Sequence, residues 1–306
     1  MEHRKVVIIG SGHVGSHCAY ALAAAGDCEE IVLVDLLPEK ATAQALDVAD
    51  SVSFMDHAVT VRSGGYSECA GAALVVVAIG EPRLPGQTRL DLLGRSVELL
   101  KPLAGELKPL KLTCPVVTIT NPADIVADWL RKALELERWQ CFGTGTLLDT
   151  ARLVRCVSQG AGVDRRSVSA FCLGEHGDSS MVPFSAVTVG GIPFERLGLS
   201  KEKILTQTHR AGMDIIEGKG STEFGIGRAL AELARCILRD EKRVLPVSVL
   251  LEGEYGQTGI HCGVPCRIGR SGVEAVIQLD LTQEEQRQLD ASCQIVKQHI
   301  DMATAL

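Results

Sequence analysis

His176 lies in the stretch Leu173-Gly174-Glu175-His176-Gly177-Asp178-Ser179, between glycines and short polar residues and directly after the apolar run 168–173. That pattern predicts a strand ending in a tight turn, with an imidazole facing a cleft. Histidine ionises near neutrality, so it can both take and give a proton at cellular pH. Upstream, Leu148-Asp149-Thr150-Ala151-Arg152 falls in a predicted helix over 147–158, where residues three apart share a face. A carboxylate there could fix the imidazole tautomer and stabilise its cation, and the guanidinium could hold a substrate carboxylate by two hydrogen bonds. Spacing alone leaves open a plainer reading, in which Asp149 and Arg152 form a helix-surface ion pair and His176 is only a turn residue.

The chain that must position these groups has 306 residues, enough for a sizeable core and about two domains. Apolar residues make up 46% and charged residues 23%, an ordinary balance for a soluble globular protein. No apolar run approaches the roughly 18 residues of a membrane span, and the N-terminus runs into Val6-Val7-Ile8-Ile9 without a signal-peptide pattern. A net charge of −7 argues against nucleic acid or an anionic membrane as the main partner. The eleven cysteines are scattered, odd in number and mostly in apolar contexts, which fits reduced thiols of a cytoplasmic protein. His261-Cys262-Gly-Val-Pro-Cys266 is the nearest approach to a ligand cluster, but it lacks a second pair, so no metal site is expected.

From the start, a β-branched run over 5–9 leads into Gly10-Ser-Gly12-His-Val-Gly15 and then a helix over 16–25. A GxGxxG pattern has a mechanism only in this context: it closes a strand and opens a helix. Its glycines permit the turn, let the backbone approach a pyrophosphate and let helix and strand pack, while the helix N-terminus offers N–H groups to the phosphates. A second strand over 31–34 ends in Asp35, placed to accept from a ribose 2′-hydroxyl and to repel a 2′-phosphate. The cofactor expected is therefore NAD rather than NADP.

The alternation continues with a helix over 38–52, strands at 59–62 and 74–79, a helix over 92–107, a strand at 116–120, a helix over 124–134 and a sixth strand at 141–143. This is the pattern of an α/β doubly wound parallel sheet, whose ligand crevice lies at the carboxyl ends of its strands; Gly80 and Asn121 stand at two such ends. Between Gly80 and Asp91 the segment Glu81-Pro-Arg83-Leu-Pro85-Gly86-Gln-Thr-Arg89 is too long for a tight turn, which suggests a lid over anions. A solvated basic loop is the alternative. An extended six-residue stretch reaches at most ~20 Å, so Arg83 and Arg89 need not serve one anion.

After residue 143 the alternation breaks down. A helix over 147–159, the strand into His176, a strand at 185–189, helices at 201–217 and 226–239, strands at 244–251, 264–268 and 273–279, and a closing helix over 282–303 predict a mixed α+β second domain. The division expected is a dinucleotide-binding domain over 1–143 and a substrate domain over 144–306. Thr222 ends the glycine-rich break Gly218-Lys-Gly220-Ser-Thr222, from which a side chain could reach the cleft.

Over essentially its whole length the chain resembles the lactate/malate dehydrogenase family, NAD-dependent L-2-hydroxy acid dehydrogenases with a Rossmann domain. The resemblance rests on five motifs in order: Gly10-x-Gly-x-x-Gly15 with Asp35, Pro85-Gly86-Gln-Thr88-Arg89, Thr120-Asn121-Pro122-Ala-Asp124, Leu148-Asp149-Thr-Ala-Arg152 and Gly174-Glu-His176-Gly-Asp178. It implies that His176 exchanges the proton of the alcohol, Asp149 holds its ring, Arg152 clamps the substrate carboxylate and Arg89 polarises the carbonyl. It further implies that Asn121 bonds the substrate oxygen and helps place the nicotinamide, and that Val14, Lys40, Tyr66, Gly80 and Thr144 contact the dinucleotide beside Gly10, Gly12, Gly15 and Asp35. A homodimer or homotetramer is implied as well.

Within that family the substrate signals are mixed. Lactate-type members usually carry glutamine at the position matching Arg83, and malate-type members carry arginine. With pyruvate's methyl group beneath it, a desolvated Arg83 would stay unpaired, at a cost of several kcal/mol as an order of magnitude. That argument points to oxaloacetate and malate, whereas Gly174-Glu175-His176, Thr222 and much of the rest look lactate-like, so lactate/pyruvate is the alternative. Many bacterial lactate dehydrogenases bind fructose 1,6-bisphosphate through an arginine two residues after the clamp and a histidine seven before the catalytic one. Val154 and Ser169 stand there, so activation by the bisphosphate is not expected. Two rivals remain: a family-4 glycoside hydrolase would need a metal-binding Cys/His pair, and a non-catalytic NAD sensor would have no use for His176, Asp149, Arg152 and Arg89 together.

Overall fold

A computed structural model of the chain describes residues 4–80 and 89–304, with side chains over 4–80 and 94–302. Arg83 and most of the expected lid lie outside the described residues, as does the side chain of Arg89.

The first half alternates strand and helix: β1 (Lys5–Ile9), α1 (His13–Ala25), β2 (Glu30–Val34), α2 (Pro38–Val52), β3 (Thr60–Ser63), β4 (Leu74–Val77), α3 (Arg89–Leu107), β5 (Val116–Thr118), α4 (Ala123–Ala133) and β6 (Cys141–Gly143). These six strands pair in parallel in the order β3-β2-β1-β4-β5-β6. The apolar runs are continuous because both faces of the sheet are covered. Val6 and Ile8 of β1 enter one core with Cys18, Ala19 and Leu22 of α1, while Val7 and Ile9 enter another with Leu100, Leu103 and Leu107 of α3. Strand order reverses between β1 and β4, which opens a crevice at their carboxyl ends.

The second half comprises α5 (Leu147–Ala161), β7 (Val168–Ser169), β8 (Thr188–Val189), β9 (Ile192–Pro193), α6 (Lys201–Lys219), α7 (Phe224–Leu238), β10 (Arg243–Glu252), β11 (Thr258–Gly269), β12 (Gly272–Val276) and α8 (Gln283–Thr304). Strands β10 to β12 form an antiparallel meander that extends the parallel sheet, joined through Ser248 of β10 opposite Gly143 of β6. A small sheet, β7-β8-β9, packs with α5 and α6 around Leu153, Val157, Phe184, Phe194 and Ile204.

The strands expected at 74–79, 116–120 and 273–279 end two or three residues early, at Val77, Thr118 and Val276, and those at 168–173 and 185–189 are each reduced to a pair of residues. Only Val168 and Ser169 of the 168–173 run pair as a strand. At Cys172 the backbone is satisfied by side chains instead: its N–H donates to Thr150 Oγ1 at 2.8 Å, and its carbonyl accepts from Thr146 Oγ1 at 2.6 Å. Within 185–189 only Thr188 and Val189 pair as a strand, because Glu285 of α8 takes both the Ser185 N–H (3.0 Å) and its hydroxyl (2.6 Å) and holds Phe184–Ala186 in a 3₁₀ turn.

Phe142 of β6 has no exposed surface and packs next to the seam between the halves. Phe142→Ala should lower unfolding stability by about 3–5 kcal/mol in urea titration. A loss below about 1 kcal/mol would mean that the seam is not close-packed there.

Candidate active site

The imidazole of His176 meets Asp149 with Nδ1 2.7 Å from Oδ2, and the other oxygen of Asp149 accepts from Arg152 Nη1 at 2.9 Å. A carboxylate only accepts, so Nδ1 carries a proton and Nε2 is the nitrogen that can exchange one. Asp149 sits in the first turn of α5, where the helix N-terminus favours an anion. The pair is not on the surface: the Asp149 and Arg152 side chains are 12% and 13% exposed and that of His176 25%. The surface ion-pair reading therefore fails.

Burial alone would depress the His176 pKa, but the Asp149 charge and hydrogen bond prevail and hold it above the ordinary histidine value. Burial likewise pushes the Asp149 carboxyl up, and His176 and Arg152 together bring it below the usual carboxylate range.

The segment carrying His176 is held by four elements. Gly174 exchanges both backbone bonds with Gly263 of β11 at 2.9 Å, and Leu173 does the same with Met181 at 2.8 Å. The Glu175 N–H donates to Ser292 Oγ of α8 at 2.9 Å, and the His176 N–H donates to Asp124 Oδ2 of α4 at 2.8 Å. Gly174 is at φ +96° with Ser292 Oγ 2.4 Å from where a Cβ would stand, so the turn requires glycine. α5 carries Asp149 and closes the ring side.

This anchoring puts His176 on the edge of the sheet where the glycine turn lies. Asp124 opens α4 just after β5, three residues beyond Asn121, whose carbonyl accepts from Ser96 Oγ at 3.0 Å. Gly80 follows β4, and the Thr144 N–H, just after β6, donates to the Thr118 carbonyl at 3.0 Å. Thr222, half-buried, lies in the break between α6 and α7. It is three residues before Gly225, whose Cβ would stand 2.9 Å from Leu148 beside Asp149. α6 packs over Arg152, since a Cβ on Gly212 would lie 3.3 Å from its guanidinium.

The glycine turn fits a pyrophosphate. A Cβ on Gly15 would lie 1.8 Å from the Gly10 carbonyl oxygen, and one on Gly10 would lie 2.6 Å from that of Ala78. Among the described residues no side chain caps α1, whose first-turn N–H groups are those an anion takes. Lys40 Nζ stands 3.9 Å from the Cβ position of Gly12, and half-buried Val14 lies in the first turn of α1. Asp35 holds the turn from the next strand: its Oδ2 accepts from the Ser11 N–H (2.7 Å) and hydroxyl (2.9 Å), and Oδ1 from the Leu37 N–H (3.1 Å). Burial raises the Asp35 pKa, but these donors outweigh it and keep the carboxylate charged. Tyr66 lines the same region, its phenol pushed up by burial and by the charges of Glu106 and Asp35.

Asp124, Ser248 and Ser292 were not singled out for roles by sequence reasoning. The available signal was a lone carboxylate inside the apolar start of α4, Ala123-Asp124-Ile125-Val126. Nothing in sequence pairs a serine of β10 with it, or a serine of α8 with the Glu175 N–H.

A family model described as the lactate/malate dehydrogenase NAD binding domain matches residues 4–143, and one described as the lactate/malate dehydrogenase alpha/beta C-terminal domain matches 146–306. The chain is 38% identical over 311 residues to an L-lactate dehydrogenase of Fusobacterium nucleatum, covering 99% of this chain and 98% of the relative. It is 36% identical to L-lactate dehydrogenase 1 of Bifidobacterium longum, covering 98% of each. The fold superposes on the minor L-lactate dehydrogenase of Enterococcus mundtii in its ligand-bound form with a TM-score of 0.95 at 36% identity, covering 98% of each chain.

The His176–Asp149 pair makes a direct prediction. By NMR titration the His176 imidazole should ionise above the ordinary histidine value, and Asp149→Asn should shift that titration downward. An unmoved titration would mean that Asp149 does not set the charge of the ring.

Proposed function

Because the chain belongs to the lactate/malate dehydrogenase family and is an NAD-dependent 2-hydroxy acid dehydrogenase, we propose that its substrate pair is L-lactate and pyruvate, with His176 as the proton-exchanging group. The observation that carries the assignment of roles is the buried Arg152–Asp149–His176 constellation, at 2.9 and 2.7 Å. His176 Nε2 takes the hydroxyl proton when lactate is oxidised and returns it when pyruvate is reduced. Asp149 keeps the ring in one tautomer and stabilises its cation. Arg152 spends one N–H on Asp149, and the rest of its planar fork is matched to the C1 carboxylate. Asn121, at the end of β5, is placed to bond the substrate oxygen, and Thr222 to close the far side. For Arg89, at the head of α3, the role of polarising the carbonyl rests on the family resemblance. The dinucleotide, when bound, supplies the hydride chemistry. Gly10, Gly12, Gly15, Val14, Asp35, Lys40, Tyr66, Gly80, Asn121 and Thr144 are the residues we assign to it.

The names of the relatives support lactate over the malate expected from Arg83. The charge of Arg83 keeps oxaloacetate as the second reading, since a guanidinium facing a methyl group would remain unpaired. We assign residues 1–143 to the cofactor and 144–306 to the substrate. We further propose a homodimer or homotetramer, supported by the exposure of Tyr20, Leu46, Phe54 and Phe224. Eleven buried free cysteines support a reducing, cytoplasmic setting, and no described helix is long and apolar enough to cross a membrane.

Loss of NADH absorbance should be faster with pyruvate than with oxaloacetate at limiting concentration. His176→Gln should lower kcat/KM by about 10²-fold or more. If the native enzyme prefers oxaloacetate and Arg83→Gln abolishes that preference, the malate reading replaces the lactate one. Fructose 1,6-bisphosphate should leave the half-saturating pyruvate concentration unchanged; a several-fold shift would show that the bisphosphate acts without cations at Val154 and Ser169.

A further inference from the structure

One carboxylate joins three parts of the molecule at the candidate site. Asp124 is 1% exposed in the first turn of α4, between Ala123 and Ile125, which are also buried. Its Oδ2 accepts the backbone N–H of His176 at 2.8 Å, and its Oδ1 accepts the hydroxyl of Ser248 at 2.5 Å. Ser248 has no exposed surface, and it is the residue through which β10 joins β6. The bonds therefore run from the helix after Asn121, to the loop bearing the imidazole, to the strand that seams the two halves.

A buried ionisable group costs stability unless it is hydrogen-bonded, and a fold that needed only shape here would be served by an apolar residue. Asp149 fixes the His176 ring but not its main chain. The bonds of Leu173, Gly174 and Glu175 stop one residue short, so without Asp124 the His176 main chain could turn about the Nδ1–Oδ2 bond and carry Nε2 away from the substrate position. Asp124 anchors it from the helix that begins two residues after Asn121, so the proton-exchanging nitrogen and the group proposed to bond the substrate oxygen share one support.

We propose that Asp124 is a positioning residue for His176, holding its backbone in register with Asn121 and adding a second negative charge beside the imidazole. This rests on the reading of His176 as the proton-exchanging group. Among the described residues, the charged groups acting on the ring are Asp149 and Arg152 from α5 and Asp124 from α4, while Glu175 of the loop acts on Asp124; β10 and α8 contribute the hydroxyls of Ser248 and Ser292. Burial lifts the Asp124 carboxyl to about 6, against the pull of the Ser248 hydroxyl and the His176 N–H. It is thus charged at neutral pH and helps Asp149 hold the imidazolium.

Asp124→Asn and Asp124→Ala test this, beside native enzyme and Ser248→Ala, by pyruvate reduction across pH and by NADH binding. The asparagine keeps an acceptor for the His176 N–H and removes the charge. Reduction needs protonated His176, so its fall-off with rising pH should move to lower pH in Asp124→Asn, with NADH affinity within about twofold. Asp124→Ala should lose kcat by about tenfold to a hundredfold as the ring is released. Ser248→Ala, which leaves the His176 contact in place, should lose less than Asp124→Ala. A merely structural Asp124 would lower the melting temperature of both variants and leave the pH limb where it was, and that result overturns the proposal. If Asp124→Ala does not fold, the pH limb of Asp124→Asn decides. Native enzyme without pyruvate reductase activity, or His176→Gln with full activity, would instead overturn the catalytic reading itself.

Discussion

An imidazole withdrawn from water loses its proton unless a negative charge stands against it, and the second half of this chain is arranged around meeting that condition at His176. The carboxylate that does so is itself buried and must be held charged. Asp149 achieves this from the first turn of α5, with the helix N-terminus behind it, Arg152 on one oxygen and the imidazole on the other. Each of the three groups would be costly alone. Together they form a hydrogen-bonded network that leaves His176 Nε2 and the remaining guanidinium N–H groups outside its internal bonds.

Holding such a network to within a fraction of an ångström requires rigid supports, and the loop that carries His176 has almost no secondary structure of its own. Its supports are borrowed. β11 lends a backbone pair at Gly263, α8 a serine at 292, α4 an aspartate at 124 and α5 two threonines, 146 and 150. Because β10 continues the parallel sheet at Gly143, the strands that carry the crevice and β11, which pairs with the His176 loop at Gly174, belong to one nine-stranded framework. Distances across the crevice are set by that framework rather than by loop packing.

This division explains what could be read in advance. In the first half, structure is local: β1, the glycine turn, α1 and Asp35 follow from apolar runs, glycine sterics and helix periodicity, and α2 and β6 end where those patterns end. Asp149 and Arg152 were legible because helix spacing alone puts them on one face. The partners of the His176 loop were not, since they are more than fifty residues distant in sequence, as with Asp124, or more than a hundred, as with Ser292. The same non-local bonds shortened the strands expected at 168–173 and 185–189, for apolar character there reflects burial in the third core rather than pairing. Substrate choice was least legible, because it turns on Arg83, whose charge argues one way while the remainder of the chain argues the other.

A second histidine shows that proximity to a carboxylate is not sufficient. His261 of β11 has no exposed surface and lies 3.2 Å from Asp128, one turn along α4 from Asp124. Yet its pKa is lowered, where that of His176 is raised. Burial is complete at His261, whereas a quarter of the His176 side chain meets solvent. Asp128, 3.2 Å from His261 Nδ1, pulls its pKa up as Asp149 at 2.7 Å pulls up that of His176, but the longer contact does not overcome burial. Arg131 adds a positive charge beside His261, and Asp128 divides its charge with Lys132. Desolvation wins at one site and the ion pair at the other, so one α4 helix faces a histidine kept neutral for packing and a histidine kept ready to carry a proton. Two buried histidines with acidic neighbours are thus separated by the balance of desolvation against neighbouring charge, and it is the one at the crevice whose ionisation suits acid–base chemistry.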